Sequence, residues 1–205
     1  MEGLSVSDAN LVVYVHPSQT KNVSEAILRE LSSLLFKFNE TFDGVVLAYD
    51  VNPSNNFARI LSGVHPYCAV RLKAKLLLFS PKADMVLEGK VVKVTRESIH
   101  AIVLGFASAV ITDEDIRDEF GFKSKHGEGL FVSRSHKHHR IKVGTVIRFV
   151  VKSLDEELLH ISGSLKPGHT GSARWLDKYS EDVTMDSGVE KRKETEGEGE
   201  LCTLH

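Results

Sequence analysis

The sequence predicts an α+β fold in two units: a β-α-β-β-β unit, then a small five-stranded β-barrel, followed by a disordered acidic tail. Three observations predict it. Short Val-, Ile- and Leu-rich runs bounded by Gly, Pro, Asn and Ser recur between residues 9 and 167, which is strand patterning. One segment, between residues 22 and 42, changes to a helical period. Residues 171–205 are polar, acidic and Gly-bearing, a composition that cannot bury enough apolar surface to order itself.

Residues 1–8 read as a loose leader. "NLVVYVHP" is an apolar β-rich run stopped by Pro17 and reads as a strand. In "NVSEAILRELSSLLFKFNETF", residues Val23, Ile27, Leu31, Leu34, Leu35, Phe38 and Phe42 fall on one helical face, and Asn22 with Glu25 resembles a capping box. "GVVLAYDV" is a second strand turned by "NPSNN", and "FARILSG" a third. In "CAVRLKAKLLLFSP", Val70, Leu72, Ala74 and Leu76 alternate with Arg71, Lys73 and Lys75, a strand with one basic face. These elements make a first domain over 9–80. Pro81 and "KAD" form a joint. "LEGKVVKV", "ESIHAIVLG" and "FASAVIT" then read as a three-strand meander, and "DEDIRDEFGF" as a short helix capped by Thr112. "KVGTVIRFVVKSLD" and "LLHISGSL" supply two more strands. Five short strands with a helix after the third match the OB plan, here over 81–170 with a basic insertion at about 123–140.

Composition narrows the function classes. At 41% hydrophobic and 26% charged residues the chain is ordinary globular material. It has no apolar run near the roughly 20 residues that span a bilayer, and no membrane partner is expected. The N-terminus lacks a secretory pattern. Cys68 and Cys202 are too few and too far apart for a disulfide framework, and Cys68 reads as core filler. The net charge of −2 divides unevenly: residues 181–200 hold eight acids and three bases, leaving the rest mildly basic.

No catalytic constellation is present: "HISGSL" is a strand, and "DEDIRDE" is a dipole-favouring first turn. The sequence predicts no enzyme, no cofactor and no metal. His126, His136, His138 and His139 lie in a polar insertion without a Cys partner, which argues against a metal site. Nucleic-acid binding is the live chemistry. Lys123, Lys125, Arg134, Lys137, Arg140 and Lys142 are six cations against one acid, Glu128. With His138 and His139 beside them, they can neutralise phosphates. Phe106 is the one ring on the early barrel strands available to stack a base. A solvated basic loop is an equally good reading of that segment.

The order of "LVVYVHP", a helix, "FDGVVLAYDV", "FSPKADMVLEGKVVKVTRESIHAIVLGFASAVI" and "GTVIRFVVKSLDEELLHISGSL" resembles the larger stalk subunit of the archaeal and eukaryotic multisubunit RNA polymerases, over most of residues 9–167. Within that family it is most similar to the stalk subunit of nuclear RNA polymerase I. The resemblance implies a non-catalytic protein of the nucleus and nucleolus, with a tip domain that docks on the polymerase core. It implies a smaller stalk partner where one exists, an initiation factor as a further partner, and an OB domain facing the exiting transcript. Tyr49, Asp50, Val51, Asn52 and Pro53 match the family's docking edge, and Pro81 and Lys82 its domain joint. The alternatives are another nuclear polymerase's stalk subunit, or a free OB-fold protein that binds single-stranded RNA.

Overall fold

The computed structural model describes residues 2–51, 58–61, 67–125 and 127–179. Strands β1 (Leu4–Val15), β2 (Phe38–Asn39), β3 (Gly44–Val51), β4 (Ala58–Ile60) and β5 (Cys68–Phe79) form one antiparallel sheet in the order β1-β5-β3-β2, with β4 also on β5. The alternation read in β5 holds: Val70, Leu72, Ala74 and Leu76 are buried, while Arg71, Lys73 and Lys75 are exposed. The first strand starts earlier than expected. Residues 4–8 are not a loose leader but pair with Lys75–Phe79. The twelve-residue β5 has edge groups beyond Ala74 that find partners only if β1 reaches back to Leu4.

Helix α1 (Val23–Ser32) is shorter than its apolar period implied. Ala26, Ile27 and Leu31 pack against Val13, Val15, Val70 and Leu72. Beyond Ser33 the chain leaves the helix, with Phe36 at φ 56°. Leu34 stays with the cluster under α1, Leu35 and Phe42 join Val46, Leu76 and Leu78, and Phe38 packs on the barrel core. A single helical stripe cannot serve three clusters, so the apolar spacing past Leu31 reports sheet and seam contacts. Asn22 makes no backbone cap; its Nδ2 donates to Glu25 Oε2 at 3.4 Å, and a 3₁₀ turn over Pro17–Asn22 precedes it. Cys68, a free thiol, packs on the α1 cluster.

The second unit contains β6 (Val86–Val94), β7 (Ser98–Val103), β8 (Ala107–Thr112), β9 (Phe120–Lys125), β10 (Glu128–Ser133), β11 (Arg140–Lys142), β12 (Val146–Asp155), β13 (His160–Ser164) and β14 (Gly171–Ser172). Strands β6, β7, β8, β13 and β12 close a ring. All neighbours are antiparallel except β8 and β13, which run parallel, as the OB topology requires. Inward positions at every second residue fill the barrel, with Leu87, Ile99, Ile111, Ile147, Phe149 and Ile161 almost fully buried. Gly163 lies flat under the Phe149 ring, where an added Cβ would stand 2.5 Å from the ring's Cδ2.

Three expectations for this unit are corrected. The helix after the third strand is only a 3₁₀ turn, Asp113–Asp115. Ile116 is already extended, the Asp115 carbonyl accepts from Leu165 N–H at 2.7 Å, and Ile116 bridges to Leu165, so the chain joins the barrel instead of continuing a helix. The Asp115 carboxylate is buried and takes Lys152 Nζ at 2.7 Å. Second, the basic insertion is a three-stranded sheet, β11-β10-β9, rather than a loop. Phe120, Phe131 and Ile141 on one of its faces join the barrel core. Third, residues 171–179 are ordered: β14 pairs with β12, and residues 173–179 form helix α2. The rest of the predicted tail lies outside the described residues.

The two units meet without a spacer. Val45 and Phe79 of the first sheet belong to the barrel's core cluster. Phe106 sits edge-on to both Phe36 and Phe79, at 5.6 and 5.7 Å between ring centroids. Glu2 Oε2 accepts from Val86 N–H at 2.6 Å, and Gly3 O from Ser80 N–H at 2.8 Å.

Candidate nucleic-acid interface

Strand alternation sorts β9, β10 and β11 into two faces. The apolar face is the one on the barrel. On the other, the register aligns Lys123, Leu130 and Lys142 in one cross-strand row and Gly121, Val132 and Arg140 in the next. The turn after β10 adds Arg134 and Lys137. The result is a groove of about 540 Å³ whose lining includes Lys123, Arg134, Lys137 and Arg140 around a floor of Leu130 and Val132. All four cations are exposed, and none pairs with a carboxylate among the described residues. Arg140 Nε donates to the Lys137 carbonyl at 2.7 Å, which holds the guanidinium over the groove. Four unpaired cations beside apolar floor residues suit a flexible polyanion.

The barrel's own outer face is different. Along β7, β8 and β13 it presents His100, Ile102, Ser108, Val110 and His160, with no Phe, Tyr or Trp. His160 Nδ1 lies 2.9 Å from Ser108 Oγ, and His100 Nε2 lies 3.0 Å from Ser98 Oγ. Phe106, the expected stacking ring, is committed to the seam between the units. Among the described residues no group of three His, Cys, Asp or Glu side chains is placed to hold a metal ion.

His139 is a structural group. It is buried, and its Nε2 accepts from Ser172 N–H at 2.9 Å, so the ring carries its proton on Nδ1. Trp175 of α2 stacks on it at 4.1 Å, and Tyr179 stacks on Trp175 at 5.0 Å. Burial first, and then the Arg117 charge, push its pKa down to about 4. Gly171 leaves the space that the imidazole fills. His136 lies beside both α2 rings.

No family model matches the sequence. Two curated proteins do. The chain is 30% identical over 158 residues to a protein of Dictyostelium discoideum described as a probable DNA-directed RNA polymerase I subunit RPA43, and 24% identical over 162 residues to RNA polymerase I subunit rpa43 of Schizosaccharomyces pombe. Each match covers 76% of this chain. The chain is thus similar to proteins described as RNA polymerase I subunit RPA43, which fits the resemblance to the polymerase I stalk subunit. It spans 43% of the Dictyostelium protein's length and 92% of the fission-yeast one's.

The structure groups only part of the residues that the RPA43 resemblance and the charge pattern singled out. Lys123, Arg134, Lys137 and Arg140 converge on the groove. Lys142 stands on the same face at its margin, and Lys125 is placed there by backbone register. His138 faces a separate depression with Arg174, Trp175 and Lys178. Of the docking edge, Tyr49 and Val51 are half-buried, and the Tyr49 hydroxyl donates to Leu28 O at 3.2 Å. Asp50 is exposed near Asp8, Lys73 and Lys75. Asn52 and Pro53 lie outside the described residues. Pro81 is buried, and Lys82 pairs with Asp43 at 3.2 Å on the surface. Sequence reasoning missed Trp175 and Tyr179. The available signal was the chain's single Trp inside a supposed disordered tail.

Proposed function

We propose that the chain is a non-catalytic nuclear subunit of RNA polymerase I. In this reading the first sheet docks on the polymerase core, the assembled subunit receives the initiation factor for ribosomal RNA genes in the nucleolus, and the groove on β9–β11 touches exiting RNA. The carrying observation is the RPA43 match, which supports polymerase membership. The closed OB ring and the four converging cations support the RNA contact. Affinity purification of the tagged full chain is expected to recover the two largest polymerase I subunits. Recovery of RNA-processing factors without them would refute membership.

The RNA contact has its own test. Binding of a fluorescent oligouridylate 20-mer should weaken with salt at a log–log slope of about −3 for four neutralised phosphates, roughly a 50-fold loss between 50 and 200 mM. The double change Lys137→Ala, Arg140→Ala should reduce that slope by about half. An unchanged slope removes the groove from the RNA path.

A further inference from the structure

We propose that the cationic groove on the outer face of β9–β10–β11 is a docking site for the chain's own acidic segment, residues 181–190. No ion pair among the described residues joins Lys123, Arg134, Lys137 or Arg140 to a carboxylate, and these four cations outnumber Glu128, the one acid that the β9–β10 register puts on this face. The described chain ends beside it. Tyr179 is in ring contact with His136, the immediate neighbour of Lys137. After Ser180, the ten residues 181–190, "EDVTMDSGVE", carry four acids, Glu181, Asp182, Asp186 and Glu190, and no base. Val183 and Met185 are interleaved with those acids, a composition that matches cations set around the apolar floor of Leu130 and Val132.

Reach and local concentration favour this occupant. Ten extended residues span up to about 35 Å. The three-stranded sheet is only about 10 Å across. A short tether of this kind holds its end at an effective concentration in the millimolar range, so a contact too weak to detect between separate molecules is populated within one chain. The pairing is between exposed charges and is screened by salt. It is also competitive: a phosphodiester strand entering the groove must displace the segment. This inference uses the groove and the charge of the segment, and it stands whether or not RNA is the competing ligand.

Zero-length carbodiimide coupling of the full chain, kept dilute so that only monomer is analysed, tests the contact. Mapped by mass spectrometry, links from Glu181, Asp182, Asp186 and Glu190 are expected to concentrate on Lys123 and Lys137. They should fall about fivefold or more in about 0.5 M salt. They should fall similarly in Arg134→Glu, Arg140→Glu, which keeps both reactive lysines. Links spread evenly over Lys73, Lys75 and Lys90, or groove links indifferent to charge reversal, overturn the proposal. If the double variant does not fold, the salt series on the unaltered chain decides: groove links that persist at high salt overturn it as well. Oligouridylate binding that leaves the links undiminished would remove RNA from this groove while leaving the proposal standing.

Discussion

Gly163→Ala is expected to lower the unfolding free energy by about 2–3 kcal/mol, a large effect for adding one methyl group. The new Cβ would stand 2.5 Å from Phe149 Cδ2, 2.9 Å from Cε2 and 3.1 Å from Ile111 Cγ1. Phe149 is fully buried in the barrel and has no empty space to turn into without displacing its neighbours. Chemical denaturation should show the shift, with a fall in Tm of about 5–10 °C. In a Phe149→Leu background the ring edge is gone, and the same Gly163→Ala change should cost less than about 1 kcal/mol. The two sites must therefore couple strongly in a double-mutant cycle. Equal penalties in both backgrounds would show that the ring is not what excludes a side chain at Gly163.

Acid is expected to weaken the fold through His139. Its folded pKa of about 4 lies below the ordinary 6.5, so between those values the unfolded chain takes up a proton that the folded chain refuses. The stability that comes from keeping the ring neutral is fully present above about pH 6.5 and is lost as pH falls towards 4, by at most about 3 kcal/mol. Trp175→Ala removes the ring stacked on His139 and admits water. It should cost about 2–3 kcal/mol at neutral pH and also flatten the acid dependence, because His139 then titrates nearer its ordinary value. Urea midpoints at pH 7.5, 6 and 5 measure both effects. Parallel decline in the two proteins would place the acid sensitivity elsewhere.

The barrel was legible because its strands obey one rule. Val91, Ile99, Ala101, Ala109 and Ile111 recur at every second position, and small residues such as Gly163 punctuate them. The insertion follows the same rule but hides it. Phe120, Phe131 and Ile141 face the barrel at the period of a strand, yet the Lys, Arg and His residues on the opposite face dominate the composition and imitate a solvated loop. The helix was overextended for the converse reason: Leu34, Leu35, Phe38 and Phe42 fall at helical spacing while serving separate clusters. Trp175 could not be assigned from its neighbours at all. Its partner is His139, thirty-six residues earlier, and only the assembled sheet brings the two rings together. The groove shows both sides of this: its charges were readable from the sequence, but their convergence depended on a register that was not.

The seam between the units has a mechanical consequence. The Phe36–Phe106–Phe79 contact, the shared core at Val45 and Phe79, and the Glu2 bond to Val86 N–H join the two sheets at separate points, so that no single peptide acts as a pivot. Such a body behaves as a lever rather than as beads on a string. A push at the β6–β7 turn, at the end of β6 away from the Val86 joint, reaches the first sheet as torque instead of dissipating in a hinge. Cutting Glu2 out of the joint would loosen the coupling while leaving both sheets intact.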